Sequence, residues 1–175
     1  FPFLGQQLRG GKKIDIIGCE PLSCPSFTRG KYAYDHGDMA KMTPLIKMHT
    51  LGSDFLPPAT HSGGLRYHGM SYHLSHLYDL GLMRAKAYGQ KECFEAGINF
   101  GQQEGIIPAP EATHAVKGAI DAALECKEKG ESKTILFNLC GHAHFDMSAY
   151  DDYLSGNLAE DIFEEDSANK SMANL

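Results

Sequence analysis

The sequence predicts an α/β fold of three layers, α/β/α, around a mostly parallel sheet. Three observations carry that prediction. Thr134-Ile135-Leu136-Phe137-Asn138-Leu139 is a continuous apolar run too short for a helix. Such a run, halted by Asn138, Cys140 and Gly141, reads as a strand buried on both faces and therefore parallel. Second, Ala112, Ala115, Val116, Ala119, Ile120, Ala123 and Leu124 recur at separations of three and four, the stripe of a helix laid on a sheet. Third, strands and helices alternate along the chain, which favours parallel pairing.

Taken in order, Phe1 to Gly10 reads as the end of a helix closed by Gly10-Gly11. Lys13 to Gly18, rich in isoleucine, reads as a strand ending at Cys19-Glu20-Pro21. Leu22 to Gly69 is rich in proline and glycine and predicts irregular structure, with only Thr43 to Thr50 helical. So long a loop implies function, and its Arg29, Tyr32, Tyr34, Asp35, His49, His61, Arg66, Tyr67 and His68 suit substrate or interface contacts. Met70 to Leu80 predicts a helix with Leu74, Leu77 and Tyr78 on one face and Gly81 as its stop. A strand over Leu82 to Tyr88 follows, then a helix over Gln90 to Glu104 with Cys93, Phe94, Gly97, Ile98 and Gly101 inward. The striped helix begins at Pro110, carries Glu111 in its first turn, and is closed by Lys127, Lys129 and Gly130. A last helix is expected around Met147 to Leu154.

The chain has 175 residues, 42% of them hydrophobic and 22% charged, enough for one domain with a core. Of the net charge of −6, −4 lies between Asn157 and Leu175, where Glu160, Asp161, Glu164, Glu165 and Asp166 face only Lys170. Residues 1–156 thus form a near-neutral folded part and 157–175 an acidic C-terminal tail, expected as a solvated end. Nothing argues for nucleic acid or a polybasic membrane surface. Five cysteines without a CxxC spacing favour reduced thiols and a cytoplasmic protein. No run is long enough to span a bilayer and none reads as a signal peptide. The start at Phe1-Pro2-Phe3, without an initiator Met, predicts a fragment.

There is no GxxxxGK[ST], GxGxxG, GxSxG or HExxH, so nucleotide and serine-hydrolase readings lack support. His142-x-His144 and His73-x-x-His76 lack cysteine or acidic partners at ligand spacing, and loop hydrogen bonding is the stronger reading. Ligands of open α/β sheets bind beyond the carboxyl ends of strands, which puts Cys140 and the loop to Asp146 at a candidate site. Cys140 can equally be an inert buried thiol. From sequence alone Glu111 is best explained as a first-turn acid offsetting the helix dipole, although Ile106-Ile107-Pro108-Ala109-Pro110 would hold it stiffly in place. Arg66 and His68 lie among Gly63, Gly64 and Gly69, whose backbone carbonyls are expected to be in use.

Three blocks taken together resemble a known family. Thr60-His61-Ser62-Gly63-Gly64-Leu65-Arg66-Tyr67-His68-Gly69, Glu104-Gly105-Ile106-Ile107-Pro108-Ala109-Pro110-Glu111-Ala112-Thr113-His114-Ala115 and Asn138-Leu139-Cys140-Gly141-His142-Ala143-His144-Phe145-Asp146 resemble the C-terminal portion of tryptophan synthase β chains. The likeness is greatest to the family's divergent second branch, which Cys24 to Gly30 and Thr43 to Gly52 also fit. It implies a fold type II enzyme dependent on pyridoxal 5'-phosphate, a homodimer, and a β-replacement joining L-serine and indole, with an α chain as partner. It also implies that Glu111 handles protons or places indole beside the cofactor, that Cys140 faces the cofactor's ring nitrogen, and that Gly141 and Glu111 also line the cofactor site. The family has a small hydroxyl residue at the position of Cys140, so the thiol is a departure and a poorer donor. Na⁺ or K⁺ would bind backbone carbonyls near Tyr67 and Gly69, and Arg66 stands where the main branch carries an acid. The resemblance puts the cofactor-binding lysine and the phosphate loop upstream of Phe1, so the chain alone is expected to be inactive. Two rival readings remain at this point: a serine or threonine deaminase using the same cofactor, and a non-enzymatic α/β binding domain.

Overall fold

A computed structural model describes residues 2–160 and 162–175. It is α/β. Helix α1 (Pro2–Leu8) stops at Gly10, whose φ of +88° glycine tolerates. Strand β1 (Ile17–Pro21) lies a few residues beyond the expected Lys13–Gly18. Its partner explains the displacement. Strand β4 (Arg84–Tyr88) pairs with it in parallel from Ile17↔Arg84 to Pro21↔Tyr88, and composition alone does not set that register.

Helix α2 (Ser26–Arg29) is a single turn that a buried acid holds in place. Glu20 accepts the Phe27 and Thr28 N–H groups, each at 2.9 Å, and the Thr28 hydroxyl at 2.6 Å. Burial raises the Glu20 pKa, and these donors oppose the shift.

The stretch expected to be irregular contains an antiparallel pair, β2 (Lys31–His36) and β3 (Leu45–Thr50), in register from Lys31↔Thr50 to His36↔Leu45. The helix expected over Thr43 to Thr50 is therefore a strand. Six residues after a proline gain little from helical bonds, whereas a ladder with β2 satisfies their backbone directly. The buried Asp35 completes this unit. It accepts the Thr50 hydroxyl at 2.7 Å and the His36 N–H at 2.8 Å.

His49 on β3 is enclosed by rings. It stacks on Tyr32 (4.9 Å, 14°) and meets Tyr78 edge-on at 5.0 Å, and neither of its ring nitrogens has a hydrogen-bond partner among the described residues. Burial lowers its pKa, and Asp79 opposes this weakly. The folded protein therefore holds His49 neutral where the unfolded chain, titrating near the ordinary value of about 6.5, takes up a proton. Stability should be full above that value and fall as pH drops below it. Melting temperatures from pH 8 to pH 5 should show the decline, and His49→Phe should flatten it. An unchanged slope in the variant would remove His49 from the account.

Helix α3 (Tyr72–Asp79) ends before Gly81 (φ +68°), as its pattern predicts. Helix α4 (Gln90–Glu104) and helix α5 (Pro110–Lys129) have the expected bounds and end on Gly105 and Gly130, both left-handed. The α5 stripe is only half used. Ala112 and Val116 are buried beside Thr113 and Gly118, while Ala123 and Leu124 are exposed. Close approach to β1 occurs at Gly118, where an added Cβ would lie 2.6 Å from Cys19 Sγ.

The strand expected at Thr134–Leu139 does not form. Residues 131–140 join no ladder, and Leu136 is 75% exposed. Only Phe137 finds a ring, Phe100 at 5.7 Å. An apolar run predicts two covered faces, and among the described residues no strand flanks it.

Helix α6 (Met147–Leu154) falls where expected. Residues 157–175, expected as a solvated end, instead include helix α7 (Glu165–Met172), whose Ala168 and Met172 pack with Cys24, Leu51 and Phe55. Its acids face outward while small residues turn in, so net charge concealed the buried face. A second core joins Phe94, Ala143, Ala149, Tyr150 and Leu158 and supports the region described next.

Candidate active site

The N-terminus of α5 is where the conspicuous sequence blocks meet. Pro110 occupies its first turn, where the missing N–H costs nothing, and Glu111 follows. Just ahead, Pro108 forms an antiparallel bridge with His142. The Ala109 N–H donates to the Gly141 carbonyl at 3.1 Å, and the Ala143 N–H donates to the Ile107 carbonyl at 3.0 Å. Gly141 takes φ +106°, and a Cβ there would stand 3.1 Å from Ala109 Cβ, so glycine is required on two counts. The Tyr150 hydroxyl donates to the Pro108 carbonyl at 2.6 Å, and burial pushes its pKa above the usual range. The Thr113 hydroxyl donates to the Pro110 carbonyl, also at 2.6 Å. Together these bonds fix the approach to α5.

The third block closes the arrangement. A 3₁₀ turn over Gly63–Leu65 brings the Gly64 N–H to within 2.8 Å of Glu111 Oε1, to which it donates. Glu111 is half-buried, and its Oε2 has no protein partner among the described residues. The result is a carboxylate fixed through one oxygen and available through the other.

The remaining candidates are distributed unevenly. Cys140 is exposed and precedes Gly141, whose carbonyl accepts the N–H of Ala109, two residues before Glu111. The Arg66 guanidinium turns away and donates to the Pro57 carbonyl at 3.1 Å. His68 is buried on the other side of its loop, with Nε2 2.9 Å from the His36 carbonyl and 3.8 Å from Asp35. Its own carbonyl accepts the Leu51 N–H at 2.7 Å. Tyr67 donates its hydroxyl to the Gly37 carbonyl, and its own carbonyl accepts the Cys24 thiol at 2.9 Å. Gly69 bridges Thr50, where a Cβ would strike Met48 Sδ. The structure thus ties Glu111 to Gly64 and the Gly141 backbone to Ala109, and directs the Arg66 and His68 side chains elsewhere.

His142 Nδ1 accepts the His144 N–H at 3.0 Å, which caps the turn Ala143–Phe145. Among the described residues no group of three or more His, Cys, Asp or Glu is placed to hold a metal ion. A cleft of about 190 Å³ lies elsewhere, lined by Tyr34, Asp35, Lys41 and Asn174, and Glu111 does not border it. The contact that residue types could not reveal is that of the Gly64 amide with Glu111. The Gly63-Gly64 doublet was the visible signal, but nothing in it said which glycine mattered.

No protein-family model matches the chain. Curated proteins do. The chain is 55% identical over 163 residues to "Tryptophan synthase beta chain 2" of Aquifex aeolicus, which covers 91% of this chain and 38% of that protein. It is 56% identical over 156 residues to the protein of the same name from Methanosarcina mazei, covering 89% of the chain and 35% of the relative. The chain is a relative of tryptophan synthase β chains. A third, "Tryptophan synthase beta chain" of Pyrococcus horikoshii, is 48% identical across 99% of this chain and 37% of its own length. This tryptophan synthase β-chain relative therefore spans little more than a third of the proteins it matches. Among its described residues no helix is long and apolar enough to cross a membrane.

Proposed function

We propose that the chain is the C-terminal portion of a cytoplasmic tryptophan synthase β chain, which joins L-serine to indole with release of water and depends on pyridoxal 5'-phosphate. The observation that carries this reading is the meeting of the three family-like blocks at the start of α5, with Glu111 fixed by Gly64 and Gly141 seated on Ala109. The residues present fit one side of a cofactor site. Cys140 offers an accessible, neutral donor, Gly141 leaves room beside it, and Glu111 has an oxygen to spare. None of the three blocks contains a lysine, so this wall orients the cofactor and does not anchor it covalently.

When bound, the cofactor supplies the electron sink for loss of the serine hydroxyl and its replacement by indole. The chain's own residues do the rest. Cys140 would face the ring nitrogen through its thiol, a neutral contact that leaves that nitrogen unprotonated. Glu111 would hold or move a proton through Oε2, or seat the indole N–H, while Oε1 stays on the Gly64 amide. A monovalent cation at Tyr67 and Gly69 would compete with the Cys24 thiol for the Tyr67 carbonyl. The homodimer and the α-chain partner belong to the same reading.

The test uses the full-length protein that contains this sequence, supplied with pyridoxal 5'-phosphate and L-serine, with and without indole. Tryptophan should form when indole is present. Pyruvate released at the same rate in both cases, without tryptophan, would make the protein a deaminase. Cys140→Ser should keep or raise the rate, because a hydroxyl is the better donor. A large loss in that variant would remove Cys140 from the ring nitrogen.

A further inference from the structure

We infer that Gly64 is a positioning residue for Glu111: its amide holds one carboxylate oxygen, and its lack of a side chain leaves the room that lets the other face the site. This rests on the proposed role of Glu111 and adds to it the source of its geometry. The Gly64 N–H donates to Oε1 at 2.8 Å, and charge-assisted bonds of this kind are among the stronger ones in proteins. A Cβ built on Gly64 would stand 3.3 Å from both Cγ and Oε1 of Glu111, tighter than ordinary contact. The neighbouring glycine provides an internal control. A Cβ on Gly63 would meet nothing within 4 Å. Neither glycine has positive φ, so alanine strains the backbone at neither position. The two substitutions therefore differ in one respect, the space beside Glu111.

Other groups do not fix this carboxylate. Glu111 makes no ion pair among the described residues, and α5 has no side-chain cap at its N-cap residue, Ala109. Pro110 stiffens the backbone ahead of it but leaves the side-chain torsions free. The amide on the Gly63–Leu65 turn is the contact that sets them, which couples the first sequence block to the second.

The experiment compares Gly63→Ala, Gly64→Ala and Glu111→Gln in the full-length protein, together with the Gly64 amide resonance of the ¹⁵N-glycine-labelled protein. Gly64→Ala should lower kcat by roughly tenfold, since the tight contact displaces the carboxylate by less than the ~1 Å that costs about a hundredfold, with the KM for serine little changed. Gly63→Ala should stay near the parent rate. The Gly64 amide resonance should move as the carboxylate titrates and stop moving in Glu111→Gln. A folded Gly64→Ala protein with parental kcat would overturn the inference while leaving the role of Glu111 intact. Parental kcat in Glu111→Gln would instead remove the role itself, and the inference with it. If Gly64→Ala does not fold, the amide resonance decides, and an amide insensitive to Glu111 refutes the coupling.

Discussion

Glu111→Gln should reduce tryptophan formation by roughly 10²–10⁴-fold while leaving the melting temperature nearly unchanged. The two effects separate because of how the side chain is held. The glutamine carbonyl oxygen can still accept the Gly64 N–H, so the turn over Gly63–Leu65 keeps its contact with α5. What is lost structurally is a negative charge in the first turn of a long helix, about 0.3–1 kcal/mol, and the charge assistance of the bond from Gly64. What is lost chemically is any capacity to take and return a proton, for which an amide offers no substitute. Steady-state kinetics and thermal melting on the same preparation check both parts. An intact rate with a lowered melting point would reduce Glu111 to the helix-end acid that the sequence alone suggests.

Phe94→Ala should cost about 3–5 kcal/mol of stability, the range for truncating a buried aromatic. Phe94 is 2% exposed. Its ring meets Tyr150 edge-on at 4.9 Å and stacks on Tyr153 at 6.0 Å, within the cluster that includes Ala143, Ala149 and Leu158. Loss of the ring opens a cavity on the inner side of α4 and α6, against the tyrosine that holds the Pro108 carbonyl. The substitution thus undermines the bridge that seats Gly141 next to α5. Urea unfolding should give a lower midpoint with an unchanged slope. A loss below about 1 kcal/mol would mean that the cluster collapses around the missing ring at little cost.

Elements fixed by local signals were legible in the sequence. The apolar spacing of α4 and α5, the proline opening α5, and the glycines at 81 and 130 each act within one turn. What depends on a distant partner was not. β2 and β3 become strands through each other, and their tyrosines, histidines and lysines do not resemble a core strand. The run Thr134–Leu139 carries the composition of a central strand but stands without neighbours among the described residues. In α7 the inward residues are Ala168, Ser171 and Met172, too modest to outweigh five acids in a reading by charge. At the site, residue types and family resemblance singled out Glu111, Cys140 and Gly141. They could not show that an amide hydrogen on Gly64 aims the carboxylate, because every non-proline residue carries one.

The docking of α7 also bears on the order in which the protein can assemble. Cys24, Leu51 and Phe55 acquire Ala168 and Met172 as neighbours only after more than a hundred further residues have left the ribosome, and the Lys31 ammonium waits as long for the Met172 carbonyl. Contacts so remote along the chain close slowly, since loop entropy is lost before they form. The α4–α6 cluster, which spans Phe94 to Leu158, closes a shorter loop and so loses less entropy than the hairpin side does in docking α7.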